Sequence, residues 1–260
     1  MATTRLLAIG DIVSRPGVAM LGRTLPSLKK ELGVDACVAN GENACGFGIS
    51  REEADRIFSF GVDVITLGNH ALDNRDILPY LEHHSAIARP ANMSPYLPGA
   101  PYVLLPLKKE TLCIINLIGM VHMNYGNANP FHCVEKLLGE LKDKGYTIVV
   151  DFHAEATSEK QAMLYFLQNR VSVLFGTHTH VQTNDARAFA GTGFLCDLGM
   201  TGCIDTVIGM APDKSLDMLL GRLAQKHPSP DGPCMLCGAL FVLEDRRCVE
   251  VQTICIKDKE

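Results

Sequence analysis

The sequence lacks the features that mark a membrane protein or a secreted protein. No apolar run approaches the roughly 20 residues that a helix needs to cross a bilayer, although 47% of the 260 residues are hydrophobic. The apolar stretch near the start runs from Leu6 to Ile9 and stops before Asp11, so it is too short for the apolar region of a signal peptide. We therefore expect a cytoplasmic protein that has no membrane partner.

The chain also has no excess of positive charge and no phosphate-binding glycine motif. Its 24 Lys and Arg residues and 29 Asp and Glu residues give a formal charge of −5, which argues against a basic face that binds duplex nucleic acid. Neither a Walker motif nor a GxGxxG motif occurs, so Gly41, Gly46 and Gly48 are expected to form tight turns. No internal repeat divides the chain.

The ten cysteines are scattered and form no recognisable metal or disulfide framework. Cys234 and Cys237 have the spacing of a metal-binding pair, but no second pair lies near them, so a zinc ribbon is not expected. Cys37, Cys113 and Cys255 lie in apolar strand-like runs, where free cysteine packs as a small hydrophobic residue. This scatter also argues against a redox protein built on cysteines.

What the sequence does contain is an alternation of short apolar strands with amphipathic helices. This alternation predicts parallel βαβ units, and a late hairpin adds antiparallel strands, so we expect a mixed α/β fold. We expect one domain over residues 1–260, with a small cap or insertion around 84–132, where proline and glycine interrupt the pattern. The predicted strands are Arg5–Gly10, Ala36–Ala39, Val62–Thr66, Thr111–Ile118, Thr147–Phe152 and Val171–Phe175, and the hairpin pairs Cys237–Leu243 with Cys248–Ile256. The predicted helices are Val18–Leu32, a helix capped by Ser50 and ending near Phe60, Asp76–His83, Cys133–Lys144, and Thr157–Gln168 capped by Thr157 or Ser158.

Polar residues able to bind metal follow five of these strands. Each one alone has an ordinary structural explanation, such as a turn, a helix cap or an exposed loop. In open α/β sheets, however, ligands bind beyond the carboxyl ends of the strands, where these residues would meet. The five groups are Asp11, Asn40-Gly41-Glu42-Asn43, Gly68-Asn69-His70, His153, and His178-Thr179-His180.

In chain order these groups resemble the calcineurin-like metallophosphoesterase superfamily. The match is closer to its YmdB-like phosphodiesterase branch, whose motifs resemble Asp11–Gly17, Asn40–Gly48 and Asp197–Gly202 here. The superfamily's usual Asp-x-His is Asp11-Ile12-Val13 in this chain, and its bridging Asp is Glu42. The resemblance extends from Arg5 to Ile256 and implies a layered calcineurin-like metallophosphoesterase fold, with mixed β-sheets flanked by helices.

The resemblance also implies a site for two transition-metal ions. The first ion would be held by Asp11, Glu42, Asn43 and His180, and the second by Glu42, Asn69, His153 and His178, with Glu42 bridging. His70 matches the catalytic histidine of the family. Iron is the expected metal, with manganese or zinc as alternatives, because mixed oxygen and imidazole ligands suit these ions.

The implied function is a metal-dependent phosphodiesterase. Its leading substrates would be cyclic nucleotides, either 2',3'-cyclic or 3',5'-cyclic nucleoside monophosphates. Three alternatives remain open at this point: a phosphomonoesterase with the same site, a nuclease with the same site, and a regulatory protein that binds a nucleotide without turnover. Phe47 or Tyr125 could stack on a base, although core packing is the commoner role of such residues. A homo-oligomer is compatible with exposed apolar residues in the middle segment.

Overall fold

The computed structural model describes residues 3–123, 126–223 and 230–258. Its strands are β1 (Thr3–Ile9), β2 (Asp11–Ile12), β3 (Ala36–Asn40), β4 (Val64–Thr66), β5 (Ile87–Ala88), β6 (Tyr102–Pro106), β7 (Thr111–Ile118), β8 (Thr147–His153), β9 (Val173–Thr177), β10 (Arg187–Phe189), β11 (Thr192–Leu195), β12 (Met200–Cys203), β13 (Cys234–Glu244) and β14 (Arg247–Lys257). Its α-helices are α1 (Ser14–Leu32), α2 (Arg51–Ser59), α3 (Leu78–His83), α4 (Pro130–Leu141), α5 (Thr157–Leu167) and α6 (Pro212–Leu219), and a 3-10 turn at Arg75–Ile77 precedes α3.

The strands form two mixed sheets that pack face to face between two layers of helices. The first sheet has the order β2-β12-β13-β1-β3-β4-β5, with β14 paired to β13, and the second has the order β10-β11-β9-β8-β7-β6. Alternation along β1 shows the layering: Leu7 and Ile9 pack with residues of α1 and α2, whereas Leu6 and Ala8 pack between the sheets. A third apolar cluster lies between the second sheet and helices α4 and α5. The predicted α/β architecture of mixed sheets flanked by helices is confirmed.

Several element boundaries follow from capping residues. The Ser50 side chain accepts a hydrogen bond from the Glu53 N–H at 3.2 Å, as the capping-box pattern predicts. Helix α4 begins before the predicted Cys133, because Asn129 caps it and Pro130 occupies its first turn. The predicted cap of α5 is wrong, since the cap position is Ala156, which makes no side-chain hydrogen bond.

The segment 84–132 contributes to both sheets. Strand β5 pairs in parallel with β4 at the edge of the first sheet, and β6 pairs with β7 in the second. Strands β10, β11 and β12 and helix α6 were not predicted from the sequence, and the three strands have only three or four residues each. Such short segments carry too few alternating positions for a periodicity to stand out.

Strand β13 contributes one cysteine to each of two neighbouring cysteine pairs. Cys234 lies opposite Cys203 on β12, with their sulfur atoms 3.5 Å apart, and Cys237 lies opposite Cys255 on β14, with sulfur atoms 3.8 Å apart. Cys234 and Cys237 therefore face different partners, and the spacing that suggested a shared metal is coincidental.

Among the residues described, no helix combines the length and apolar character that a bilayer crossing requires.

Candidate metal centre

Three side-chain atoms surround one ring nitrogen of His153, at the carboxyl end of β8. Nε2 of His153 lies 3.0 Å from Glu42 Oε1, 2.9 Å from Asn69 Oδ1 and 3.0 Å from His178 Nδ1. Neighbouring ligands of a six-coordinate ion with bonds of about 2.0–2.2 Å are about 3 Å apart. The potential ligand atoms of Glu42, His153 and His178 all lie within 4.8 Å of one another, so this group fits one metal ion.

A second group of side chains adjoins the first and shares Glu42 with it. The carboxylate of Asp11 lies 3.7 Å from His180 Nε2, and Asn43 Nδ2 lies 3.2 Å from both His180 Nε2 and Glu42 Oε1. Asp11 Oδ1 is buried and accepts no hydrogen bond from any residue that the structure describes, as expected of an oxygen that coordinates a cation. Coordination by Asn43 would require its amide to turn about χ2, so that Oδ1 replaces Nδ2.

Backbone geometry brings these groups into one space. Both His178 and His180 have positive φ angles, 105° and 65°, a conformation that costs a non-glycine residue about 1–3 kcal/mol. The surrounding structure holds them there: the His178 N–H donates to Asp11 Oδ2 at 3.1 Å, and His180 Nδ1 lies 2.8 Å from the Ile208 carbonyl oxygen. Gly68 leaves room for the centre, because a Cβ at that position would lie 2.4 Å from both Glu42 Oε2 and His153 Nε2.

Hydrogen bonds behind the centre orient His153. Its Nδ1 lies 2.9 Å from Thr177 Oγ1, and the Thr177 hydroxyl donates to Asp151 Oδ1 at 2.8 Å. Because the hydroxyl has one proton and gives it to the carboxylate, it accepts the Nδ1–H of His153. Thr177 thus keeps a proton on Nδ1, so Nε2 is the nitrogen that would give up its proton to a metal ion beside Glu42, as coordination needs.

A second carboxylate orients His178. Oε2 of Glu155 lies 3.0 Å from Nε2 of His178, which leaves Nδ1 directed at the centre. Sequence reasoning did not single out Glu155, although its position two residues after His153 was an available signal. Such carboxylate partners of ligating histidines raise ligand basicity and fix the ring.

Histidines and backbone N–H groups offset the cost of burying the two carboxylates of the centre. Burial by itself would raise the pKa of Asp11, but His180, His153 and the His178 N–H lower it well below its usual range. Burial also opposes ionisation of Glu42, but the charge and hydrogen bond of His153, together with the His70 N–H, leave the pKa of Glu42 lowered. Burial disfavours the charged form of His180, yet the adjacent Asp11 carboxylate raises the pKa of His180 to about 9. The two carboxylates are therefore ionised, as metal ligands must be.

His70 lies beside this centre with its ring outside the ligand cluster. Its backbone N–H donates to Glu42 Oε2 at 2.9 Å, and its Nδ1 lies 2.6 Å from Asp73 Oδ2. This contact occupies Nδ1 and leaves Nε2 for a ligand in the adjoining cavity. Asp73 was missed from the sequence, although its position three residues after His70 in a turn could have indicated it.

The cavity in front of the centre has a volume of about 510 Å³. Phe47 lines it, is 55% exposed, and packs against His70 with ring centroids 4.8 Å apart, so the expectation of core packing was wrong for this residue. Lys214 of α6 is the one Lys or Arg among the described residues that line the cavity. Tyr125 lies outside the described residues.

Four arginines that follow the first three groups of predicted ligands in the sequence do not line the cavity. Arg89, for example, donates to the carbonyl oxygens of Pro90, Leu97 and Pro98. The other three are Arg15, Arg51 and Arg75. Lys214, which follows the Asp197–Gly202 motif in the sequence, is therefore the lysine or arginine that the described lining of the cavity contains.

The structure thus gathers all eight residues that were predicted for the site at one edge of the two sheets. They are Asp11, Glu42, Asn43, Asn69, His70, His153, His178 and His180.

Comparisons with known proteins identify the family to which the chain belongs. The family model described as "YmdB-like protein" matches residues 7–254. The 2',3'-cyclic-nucleotide 2'-phosphodiesterase of Bacillus subtilis (strain 168) is 33% identical over 258 residues, which cover 98% of this chain and 97% of that protein.

Two solved structures are similar over nearly the whole chain. A hypothetical protein from Thermus thermophilus has a TM-score of 0.92 at 34% identity, with 98% of this chain and 100% of that chain covered. A novel phosphatase from Mycoplasma pneumoniae also has a TM-score of 0.92, at 26% identity, with 99% of this chain and 94% of that chain covered. The layered metallophosphoesterase fold expected from the sequence is confirmed. The chain is a hydrolase that acts on phosphoric ester bonds, and it belongs to the YmdB-like family.

Proposed function

We propose that the protein is a dinuclear metal-dependent phosphodiesterase whose substrates are cyclic nucleotides, with 2',3'-cyclic nucleoside monophosphates as the leading class. The observation that carries this proposal is the convergence of Glu42, Asn69 and His178 on Nε2 of His153 at about 3 Å, with His70 next to them and outside the cluster. The name of the Bacillus subtilis relative supports the choice of substrate.

The two groups of side chains would each hold one ion. Asp11, Asn43 and His180 would hold the first ion and Asn69, His153 and His178 the second, and Glu42, which contacts side chains of both groups, would be shared between them. When bound, two transition-metal ions supply a nucleophile at neutral pH and neutralise charge on the phosphoryl oxygens. Iron is our expectation, with manganese or zinc as alternatives.

His70 would act on the leaving group. Asp73 holds Nδ1 of His70, so a protonated Nε2 can deliver its proton to the ribose oxygen that leaves phosphorus. A histidine that coordinated metal could not carry this proton, and His70 lies outside the cluster. A site for binding without turnover has no need of such a residue, so the arrangement favours an enzyme.

The lining of the cavity favours a phosphodiester. A phosphodiester carries one negative charge where a monoester dianion carries two, and Lys214 is the one Lys or Arg among the described residues lining the cavity. The exposed Phe47 ring offers a face on which a nucleobase can stack, next to His70. We therefore place the base over Phe47 and the phosphate at the metal centre.

The test combines metal analysis with a substrate panel. Metal-free protein is reconstituted with Fe²⁺ or Mn²⁺ and assayed with 2',3'-cyclic AMP, 3',5'-cyclic AMP, bis-p-nitrophenyl phosphate, p-nitrophenyl phosphate and a single-stranded oligonucleotide. We expect about two ions per chain, hydrolysis of both diester types with 2',3'-cyclic AMP preferred, and loss of activity on chelation.

The matched variant is His70→Ala, which should bind the same amount of metal and lose turnover. Faster hydrolysis of p-nitrophenyl phosphate than of the diesters would replace this proposal with a phosphomonoesterase. Cleavage confined to oligonucleotides would make the protein a nuclease. Tight nucleotide binding without turnover by fully loaded protein would indicate a regulatory role.

Four further expectations stay predictions. We expect a location in the cytoplasm, no duplex nucleic acid partner, no membrane partner, and a single domain. A homo-oligomer is compatible with the exposed apolar residues of the chain. Size-exclusion chromatography with light scattering would test the oligomeric state directly.

A further inference from the structure

A buried ion pair lies behind the turn that carries His178 and His180. Lys160 on α5 and Asp197, which follows β11, are 2% and 1% exposed, and Lys160 Nζ donates to Asp197 Oδ2 at 2.7 Å. Neither residue lines the cavity or contacts the ligand cluster directly. The proposed mechanism therefore gives neither residue a direct part in binding metal or substrate.

The Asp197 carboxylate accepts a hydrogen bond from the turn that carries His180, and through Gly199 it is linked to the backbone of Asp11. Its Oδ2 accepts from the Thr179 N–H at 3.1 Å, between the two histidines with positive φ. Its Oδ1 accepts from the Gly199 N–H at 2.8 Å, and the Gly199 carbonyl accepts from the Asp11 N–H at 3.1 Å. One carboxylate thus connects the backbone of Asp11 to the backbone of the histidine turn.

The surroundings leave the pair little freedom. A Cβ on Gly176 would lie 1.9 Å from the Cys196 carbonyl oxygen and 2.9 Å from Lys160 Cδ, so the lysine stem passes directly over the backbone of β9. Because the stem is packed this closely, the ammonium group has a defined position, and it fixes the position of the carboxylate.

Stability alone does not explain a buried pair of this kind, because well-packed apolar residues of similar volume often serve the fold as well or better. An apolar pair, however, could not accept hydrogen bonds from the N–H groups of Thr179 and Gly199. We propose that Lys160 and Asp197 are positioning residues, which hold the strained His178-Thr179-His180 turn and Asp11 in the geometry that binds metal. This inference rests on the proposed function.

The test measures metal affinity separately from stability and catalysis. Lys160→Met and Asp197→Asn are titrated with Co²⁺ while its absorption spectrum is recorded, and their unfolding in urea is followed in the absence of metal. The control is Lys29→Met, which removes the ion pair of Lys29 with Asp63, 3.1 Å apart, at the opposite end of the parallel strands.

We expect Lys160→Met and Asp197→Asn to bind Co²⁺ about 10–100-fold more weakly and to show an altered absorption spectrum. Lys29→Met should lose stability while its Co²⁺ affinity and spectrum stay unchanged. If Lys160→Met lost stability as Lys29→Met does, with unchanged Co²⁺ affinity and spectrum, the pair would be merely structural and the proposal would be overturned.

Two controls keep the outcomes distinguishable. If Lys160→Met fails to fold because the Asp197 charge is left unpaired, the double variant Lys160→Met/Asp197→Leu removes that charge, and Co²⁺ affinity equal to the parent's would overturn the proposal. The parent protein reports on the proposed function itself. Failure of the parent to bind Co²⁺ would refute the metal centre, whereas normal binding by parent and variants alike would refute only the positioning role.

Discussion

Replacing Thr177 by valine keeps the shape of the side chain and removes the hydroxyl between His153 and Asp151. The hydroxyl accepts from His153 Nδ1 at 2.9 Å and donates to Asp151 Oδ1 at 2.8 Å, so the substitution leaves one buried donor and one buried acceptor without this partner. Each such loss costs about 1–3 kcal/mol. Asp151 retains the Asn40 amide at 3.3 Å, which places the expected loss of unfolding free energy at about 2–4 kcal/mol.

The larger consequence concerns the tautomer of His153. Without the hydroxyl, the Nδ1 proton is no longer held, and the ring can carry its proton on Nε2, which then cannot bind metal. We expect the metal affinity of Thr177→Val to fall by about 10–100-fold. Thr177→Ser keeps the hydroxyl and should bind metal nearly as tightly as the parent.

Calorimetric titration of metal-free protein with Mn²⁺ measures the affinity, and urea unfolding measures the stability. We expect Thr177→Ser to bind Mn²⁺ more tightly than Thr177→Val does. Equal affinity of the valine variant and the parent, despite a clear loss of stability, would show that the hydrogen-bonded chain does not control the ligand nitrogen.

Three further predictions concern the same edge of the sheets. His70→Ala should lower kcat by roughly 10²–10⁴-fold without loss of bound metal. Asp73→Asn should lower kcat less and change the pH profile of kcat. A His70→Ala variant that folds normally but has lost its metal would contradict this assignment. The pKa of His180 is raised to about 9, so in the metal-free protein this group contributes stability below its ordinary pKa of 6.5 and loses that contribution as the pH rises through 9. Metal must displace that proton, so binding at pH 7 should release it and tighten toward pH 9, whereas equal heats in buffers of different ionisation enthalpy would argue against the release. Lys214→Met should raise KM for 2',3'-cyclic AMP by up to about fivefold, corresponding to ~1 kcal/mol for an exposed ion pair, and Lys214→Arg should restore it; an unchanged KM would remove Lys214 from substrate binding.

Much of the fold could be predicted because its signals are local. The strands of the parallel units carry continuous apolar runs, and Ser50 and Gly33 mark helix ends through their own conformational preferences. The predicted cap of α5 was wrong because Thr157 and Ser158 have side chains suited to capping, whereas the helix begins one residue earlier, with Ala156 at the cap position. Strand β12 exists through pairing with the distant β2 and β13, so its own residues show little strand preference. Strands β10 and β11 form a tight hairpin that is too short for a clear alternation.

The sequence by itself determined which residue types follow each strand. Asp11, Glu42, Asn69, His153 and His178 all stand at or just beyond strand ends, and parallel strands bring such positions to one edge. Their proximity follows from this rule, while their roles as ligands remain predictions.

Only the tertiary structure decided which atoms of those residues face the centre and what holds them there. Thr177 selects a nitrogen of His153 and Glu155 selects one of His178, both through contacts that depend on how β8 and β9 pair. Lys160 meets Asp197, and Lys214 reaches the cavity, only after helices α5 and α6 have packed. Orientation depends on contact distances that must be right to within about a few tenths of an ångström between residues far apart in the chain, and local sequence patterns do not specify such distances.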